Sequence, residues 1–231
     1  MSQTESGIHA KAKAIKERPI LFSSPMIRAI LENRKSQTRR TMKPQPSWEF
    51  SAPDKGVAEW YSPTMVDRRS GETYPGKEVF GVADENEGHI SKYGIPGDRL
   101  WVRETFFSTV GSRDPQFGAA PDYIYRADYE YRGGQVIGKN HWKPSIFMPR
   151  KLSRITLEIV SVRVERLQDI SEQDAKAEGA LGFHDVFFHS FYDSSIENVF
   201  RRNYAVIWEK INGEGSWKKN PWVWKITFKK L

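Results

Sequence analysis

The longest regular pattern in the chain lies near its C-terminal end. Ile196, Val199, Phe200, Tyr204, Ile207, Trp208 and Ile211 hold one apolar stripe at helical spacing until the stretch NGEG ends it. A helix over 195–211 is predicted, with that stripe as a core face. SSPMIRAILENRK predicts another: Ser24 as cap, Pro25 at the first helical position, Ile27, Ile30 and Leu31 inward, Arg28 and Glu32 facing water. A third, short helix is expected over 172–178, between Ser171 as cap and Gly179 as stop.

Other segments alternate with the period of a strand. DRLWVRE, residues 98–104, places Leu100 and Val102 on one face and Trp101 and Arg103 on the other. In SRITLEIVSVRVERL the apolar positions Ile155, Leu157 and Ile159 switch parity to Val162 and Val164, which predicts a bulge or sharp bend in a long strand. Strongly bent strands favour a small barrel. NPWVWKITFKK alternates Trp222, Trp224, Ile226 and Phe228 with Lys225, Thr227 and Lys229, so the final strand is expected to be built into the sheet. Residues 44–97 and 108–150 are rich in Pro and Gly and read as two loop-rich insertions, the first carrying a hairpin. Both are expected over the surface, as a wall or lid of any cleft. The expected fold class is α+β, with a flexible leader over 1–18 and a single domain over 19–231.

Composition narrows the function classes. With 231 residues, 38% of them hydrophobic and eight of them Trp, the chain has enough apolar surface for one sizeable core. It has no cysteine, which excludes disulfides, thiolate catalysis and cysteine-bound zinc. No apolar run approaches the roughly 18 residues of a membrane span, so no membrane partner and a cytoplasmic location are expected. The net charge is +7, and residues 26–43 hold six cations against Glu32 alone, a balance of +5. Such a concentration points to an anionic partner, RNA or single-stranded nucleic acid ahead of lipid, against the alternative of a solvated basic face.

Two motifs fail on inspection. GGQVIGKN, residues 133–140, has the glycine and lysine spacing of a phosphate loop, but Asn140 stands where the magnesium-holding hydroxyl belongs and HWKP follows instead of a helix. The five histidines, His184 and His189 included, form no metal-ligand pair. No metal and no cofactor are expected.

The corner at 34–40 is different. ILENRKSQTRR, followed in order by PGDRLWVRE, the strand-rich 153–166, DISEQDAKAEG and the terminal WVWKITF, resembles the ASCH family of the PUA-like superfamily. It is most similar to the ASCH-type proteins carried by tailed phages and prophages. The resemblance spans most of the chain, with 44–97 and 108–150 as expansions of a minimal domain. Asn33 stands where the family motif has Gly, and Ser36 where it has its first Thr. The resemblance implies a small PUA-like β-barrel with flanking helices, and a cleft where the basic corner faces the helix after the bent strand. Family members are associated with RNA or nucleoside binding; a minimal member hydrolyses acetylcytidine with a Lys, a Thr and a Glu, and another is a ribonuclease. Matching the motif carries those roles onto Lys35, Thr38 and Glu178.

Nucleic-acid or nucleotide binding in that cleft is therefore the leading expectation, with RNA, another single strand or a modified nucleoside as partner. Arg34, Lys35, Arg39 and Arg40 would meet phosphate or a base edge, and Trp101, Trp222 and Trp224 would offer stacking surfaces. The first alternative is a hydrolase, an amidohydrolase on acylated cytidine or a ribonuclease. There the arginines around Lys35 would disfavour its ammonium form and make it a base for the Thr38 hydroxyl. Glu178, at the end of its helix where the dipole disfavours a carboxylate, would handle protons. The second alternative is a phage structural or assembly factor whose basic face meets a protein.

Overall fold

The computed structural model of the chain describes residues 14–47, 56–84, 87–110, 122–131, 141–180 and 198–231. In chain order the first elements are strand β1 (Glu17–Leu21), helix α1 (Ser24–Leu31) and strand β2 (Gln37–Thr41). Five short strands follow: β3 (Glu59–Tyr61), β4 (Thr64–Val66), β5 (Thr73–Pro75), β6 (Val79–Ala83) and β7 (Gly88–Ile90). Next come β8 (Arg99–Arg103), β9 (Phe106–Ser108), β10 (Tyr123–Tyr125) and helix α2 (Arg126–Tyr131). The long strand β11 (Thr156–Arg166), helix α3 (Glu172–Ala177), helix α4 (Val199–Asn212) and strand β12 (Trp222–Lys230) complete the order. The fold is α+β. Among the described residues no helix is long and apolar enough to cross a membrane.

One five-stranded sheet, β1-β8-β11-β12-β2, carries the architecture. Strand β1 runs parallel to β8 and the other pairings are antiparallel. The parity switch in β11 is a register shift between Ile159 and Ser161 against β12, and it bends the strand. Strands β1 and β2 are the two edges and do not pair with each other, so the hydrogen bonding does not close the expected barrel. Side chains fill the seam instead: Arg40 of β2 donates through Nη2 to the Leu21 carbonyl of β1, and the Phe22 ring lies 5.2 Å from the Arg40 guanidinium.

Trp222, Trp224, Ile226 and Phe228 turn to one face of β12, into a core with Leu100, Val102, Leu157, Ile159 and Ile27 of α1. Val223 turns the other way, into a smaller core with Leu167, Ala175 of α3, and Tyr204 and Trp208 of α4. Each fully buried aliphatic side chain here contributes about 1.5–3 kcal/mol.

Several local expectations need adjusting. Ser23, not Ser24, occupies the N-cap position of α1, and its side chain makes no capping bond. Ser171 does cap α3, its hydroxyl accepting from the Asp174 amide at 3.0 Å. Strand β1 begins at Glu17, inside the stretch expected as leader, because its backbone pairs with β8. Within 44–97 the described residues form a three-stranded sheet, β3-β6-β7, and the hairpin β4-β5, more regular structure than the Pro and Gly content predicts. The phosphate-loop-like 133–140, His184, His189 and Ile196 lie outside the described residues.

Candidate functional site: a buried ion network beneath a cavity

The site begins with a chain reversal. Helix α1 ends at Leu31, the chain turns through Asn33, whose φ of 58° is left-handed, and the amides of Arg34 and Lys35 both return to the Ala29 carbonyl. Left-handed backbone suits Gly and is tolerated by Asn, so Asn33 makes this turn without a glycine. The chain then meets the end of α3: Ser36 donates its amide to the Ala177 carbonyl, and Lys35 pairs with Glu178 as an isolated bridge. Gly179, at φ 85°, makes this approach possible, because a Cβ there would lie 2.9 Å from the Ala29 Cβ and 3.3 Å from the Lys35 Cβ. Gly179→Ala is expected to destabilise the fold by about 1–3 kcal/mol in urea unfolding, through strain and this contact together. A change within 0.5 kcal/mol of zero, roughly the scatter of neutral surface substitutions, would show that the two segments separate freely.

Lys35 and Glu178 form a buried pair. The ammonium donates to the Glu178 carboxylate at 2.6 Å and to the Glu178 carbonyl at 2.7 Å, with both side chains essentially inaccessible. Burial pushes the Lys35 ammonium below its ordinary range, more than Glu178 raises it, while Arg40 and Arg39 add smaller downward effects. The expected lowering is present, but desolvation drives it, and Arg34 takes no part. Arg34 turns outward to Glu32, donating through Nε at 2.7 Å.

Arg39 gathers three carboxylates from the opposite side of the chain. Its Nη1 reaches Glu178 at 3.1 Å, its Nε and Nη2 reach Glu165 at 2.7 and 2.6 Å, and Nη2 also reaches Asp174 at 3.2 Å. Burial works against the Arg39 guanidinium, yet Glu178 and Glu165 outweigh it and hold its proton more tightly than usual. Lys225 closes the network on Asp174 at 2.7 Å, and Gln37 donates to the same carboxylate at 2.9 Å. Despite its partial burial, Asp174 is thereby held below the ordinary carboxylate range. Lys35, Arg39 and Lys225 thus face Glu165, Asp174 and Glu178, and the charges cancel.

Above this network lies a cavity of about 220 Å³. Its polar lining includes Thr38, Arg39, Arg40 and Glu178, and its apolar and aromatic walls include Phe22, Tyr204 and Trp208. The free edge of β2 runs along it. Ser36 accepts from Phe228 and Met42 donates to Trp222, so the even residues of β2 bond to β12 and the peptide groups of Gln37, Arg39 and Thr41 point outward from the sheet. The Tyr204 hydroxyl lies 3.5 Å from Glu178, and burial, with that carboxylate, pushes its phenol well above the ordinary range.

The structure brings Thr38 and Glu178 to one cavity and sets Lys35 behind Glu178, outside the lining. The expected stacking residues are placed elsewhere. Trp222 and Trp224 are core side chains, and Trp101, 8% exposed, sits on the outer face of β8 under Arg103 and Arg150. Among the described residues none from 44–97 or 108–150 lines the cavity; the wall expected of those insertions is formed by α4. Phe22, Glu165, Asp174, Tyr204, Trp208 and Lys225 are site residues that sequence reasoning missed. Tyr204 and Trp208 were visible only as part of a helical stripe, and the two acids and Lys225 only as outward positions of α3, β11 and β12. No family model matches the chain, and neither a curated protein nor a solved structure matches it.

Proposed function

We propose that the cavity between β2 and α4 binds one nucleoside or one nucleotide unit of a nucleic acid, in a PUA-like, ASCH-type fold opened at its β1–β2 seam. The observation that carries this is the cavity itself, with aromatic walls, the polar groups of Thr38 and Glu178, and the outward peptide group of Arg39 on one side. Its volume falls below the roughly 300–1,000 Å³ of pockets for drug-sized ligands, which suits a single base. Because the charges beneath it cancel, recognition there rests on hydrogen bonds and apolar contact, and Lys35 and Arg39 are not phosphate grips. Titration of the purified protein with cytidine, N-acylated cytidine and short RNA tests the proposal by calorimetry. Saturable binding that Trp208→Ala weakens is expected. Absence of binding to all three would reject it.

A second reading, hydrolysis of an acylated cytidine or of RNA, draws on one further observation. A lysine whose proton is loosened by burial bonds at 2.6 Å to a carboxylate that shares the cavity with a hydroxyl, Thr38. Under this reading Lys35→Ala and Thr38→Val abolish turnover, and Glu178→Gln is nearly as damaging. Under binding alone Thr38→Val costs at most one hydrogen bond, about 0.5–1.5 kcal/mol of affinity. Wild-type protein that binds these compounds and leaves them intact would dismiss the hydrolase.

A further inference from the structure

Of the basic motif only Arg40 keeps a charge that no carboxylate among the described residues neutralises. Arg34 is paired with Glu32, and Lys35 and Arg39 are consumed in the buried network. Arg40 has no carboxylate partner among the described residues; it donates to the Leu21 carbonyl at the cavity's rim. Leu21 is 42% exposed and stands directly opposite Arg103 in the β1–β8 register, one strand spacing of about 4.8 Å away. The same outward face of β8 carries Trp101 and Arg99, two and four residues from Arg103.

Trp101 organises the cations there. The Arg103 guanidinium lies 4.7 Å from its ring centroid and that of Arg150 5.9 Å, so two cations share one buried indole. Arg103 has no acidic partner among the described residues. Arg150 bonds to Glu17 at 2.8 Å, and Arg99 approaches the same carboxylate at 3.9 Å. Lys151, exposed, follows Arg150. Glu158, opposite Arg99, is engaged by Lys229 at 2.9 Å. Among the described residues Glu17 is therefore the only ion-pair partner of Arg99 and Arg150, Arg103 has none, and exposed Lys151 adjoins Arg150 in sequence, on a track whose Arg103 end lies beside Leu21 at the rim of the cavity.

Resting on the proposal that the cavity holds a nucleotide unit, we infer that its partner is a strand rather than a free nucleoside, and that Arg40, Arg103, Arg150 and Lys151 carry the flanking phosphates. Charge complementarity selects the occupant: the cavity has no unneutralised cation beneath it, and the excess charge lies beside it in a line that a polyanion can follow. Trp101 acts here by fixing two guanidinium groups, not by stacking on a base.

The test compares cytidine with a fluorescein-labelled single-stranded RNA octamer, by calorimetry and anisotropy, over a range of salt concentrations. The octamer is expected to bind at least about tenfold more tightly at low salt, with affinity falling as salt rises by roughly 0.7 in logarithmic slope per phosphate contacted. In Arg103→Gln/Lys151→Gln that slope becomes shallower, whereas cytidine binding in the cavity is unchanged. Cytidine binding without a gain for the octamer, or a salt slope unaltered in the double variant, would overturn the track and leave the cavity proposal standing. Failure of both ligands to bind would remove the cavity proposal and the track with it. Displacement of the octamer by polyglutamate at equal charge concentration would show an acidic-protein surface and likewise overturn the assignment.

Discussion

Lys35→Met is expected to destabilise the protein by about 3–5 kcal/mol, because it leaves the Glu178 carboxylate buried with one cation where it had two. The double variant Lys35→Met/Glu178→Leu should cost clearly less than the two single losses added together. The reason is that desolvating both charges is expensive, and removing both removes that expense while Arg39 keeps Glu165 and Asp174. The pair also makes stability depend on pH in an unusual sense. The Lys35 proton is held less tightly in the fold than at the ordinary value of 10.5, so between the folded pKa and 10.5 the unfolded chain binds more protons than the native one. Stability contributed through Lys35 therefore rises with pH across that alkaline window, and the penalty of burying its charge is fully felt below it. Urea unfolding of wild type and Lys35→Met from neutral to alkaline pH should show the difference between them growing with pH. A difference that shrinks would mean that Glu178 outweighs burial at Lys35.

Arg39→Met is expected to have an effect of similar size, about 3–5 kcal/mol, by a different route. Three carboxylates converge on one guanidinium whose side chain is wholly inaccessible, and without it they repel one another at the base of α3. Lys225 still holds Asp174 and Lys35 still holds Glu178, so the loss should fall most heavily on Glu165, left with Lys225 at 3.7 Å. Arg39→Lys should recover only part of the stability, since an ammonium cannot reproduce the fork that meets Glu165 with Nε and Nη2 together. Asp174, held below the ordinary carboxylate range, supports the fold above its unfolded pKa and loses that support as pH falls through the folded one. With Arg39 gone, part of this support is gone, so the acid-side decline of stability should be shallower in Arg39→Met than in wild type. A cost below about 1 kcal/mol, the range of exposed ion pairs, would show that the network is solvated and not structural.

Local pattern carried much of the fold. The parity switch after Ile159 became the register shift in β11, the alternation of 222–228 became the core face of β12, and Ser171 and Gly179 bounded α3 where their chemistry placed them. These features depend on neighbours a few residues away, and such neighbours are visible in a linear chain. Lys35, Thr38 and Glu178 do lie near one another, Glu178 bonding Lys35 and sharing the cavity lining with Thr38, and the turn before them runs through the left-handed Asn33.

What the basic corner does could not be read from its own residues. Along one strand Arg39 and Arg40 point to opposite faces, which sends Arg39 to acids 126 to 139 positions away in sequence and leaves Arg40 at the rim. A count of charges in 26–43 treats them alike; only tertiary contacts decide which are neutralised. The same holds for Tyr204 and Trp208, whose helical spacing reads as core, although the free edge of β2 leaves a space beside them that becomes the cavity wall. Arg103 and Arg150, 47 positions apart, become neighbours because β8 turns Trp101 outward and the chain before β11 lays Arg150 across it. Periodicity determines which face a side chain takes, whereas neutralisation, enclosure and alignment of charge arise from contacts between distant segments, which the packing of the sheet brings together.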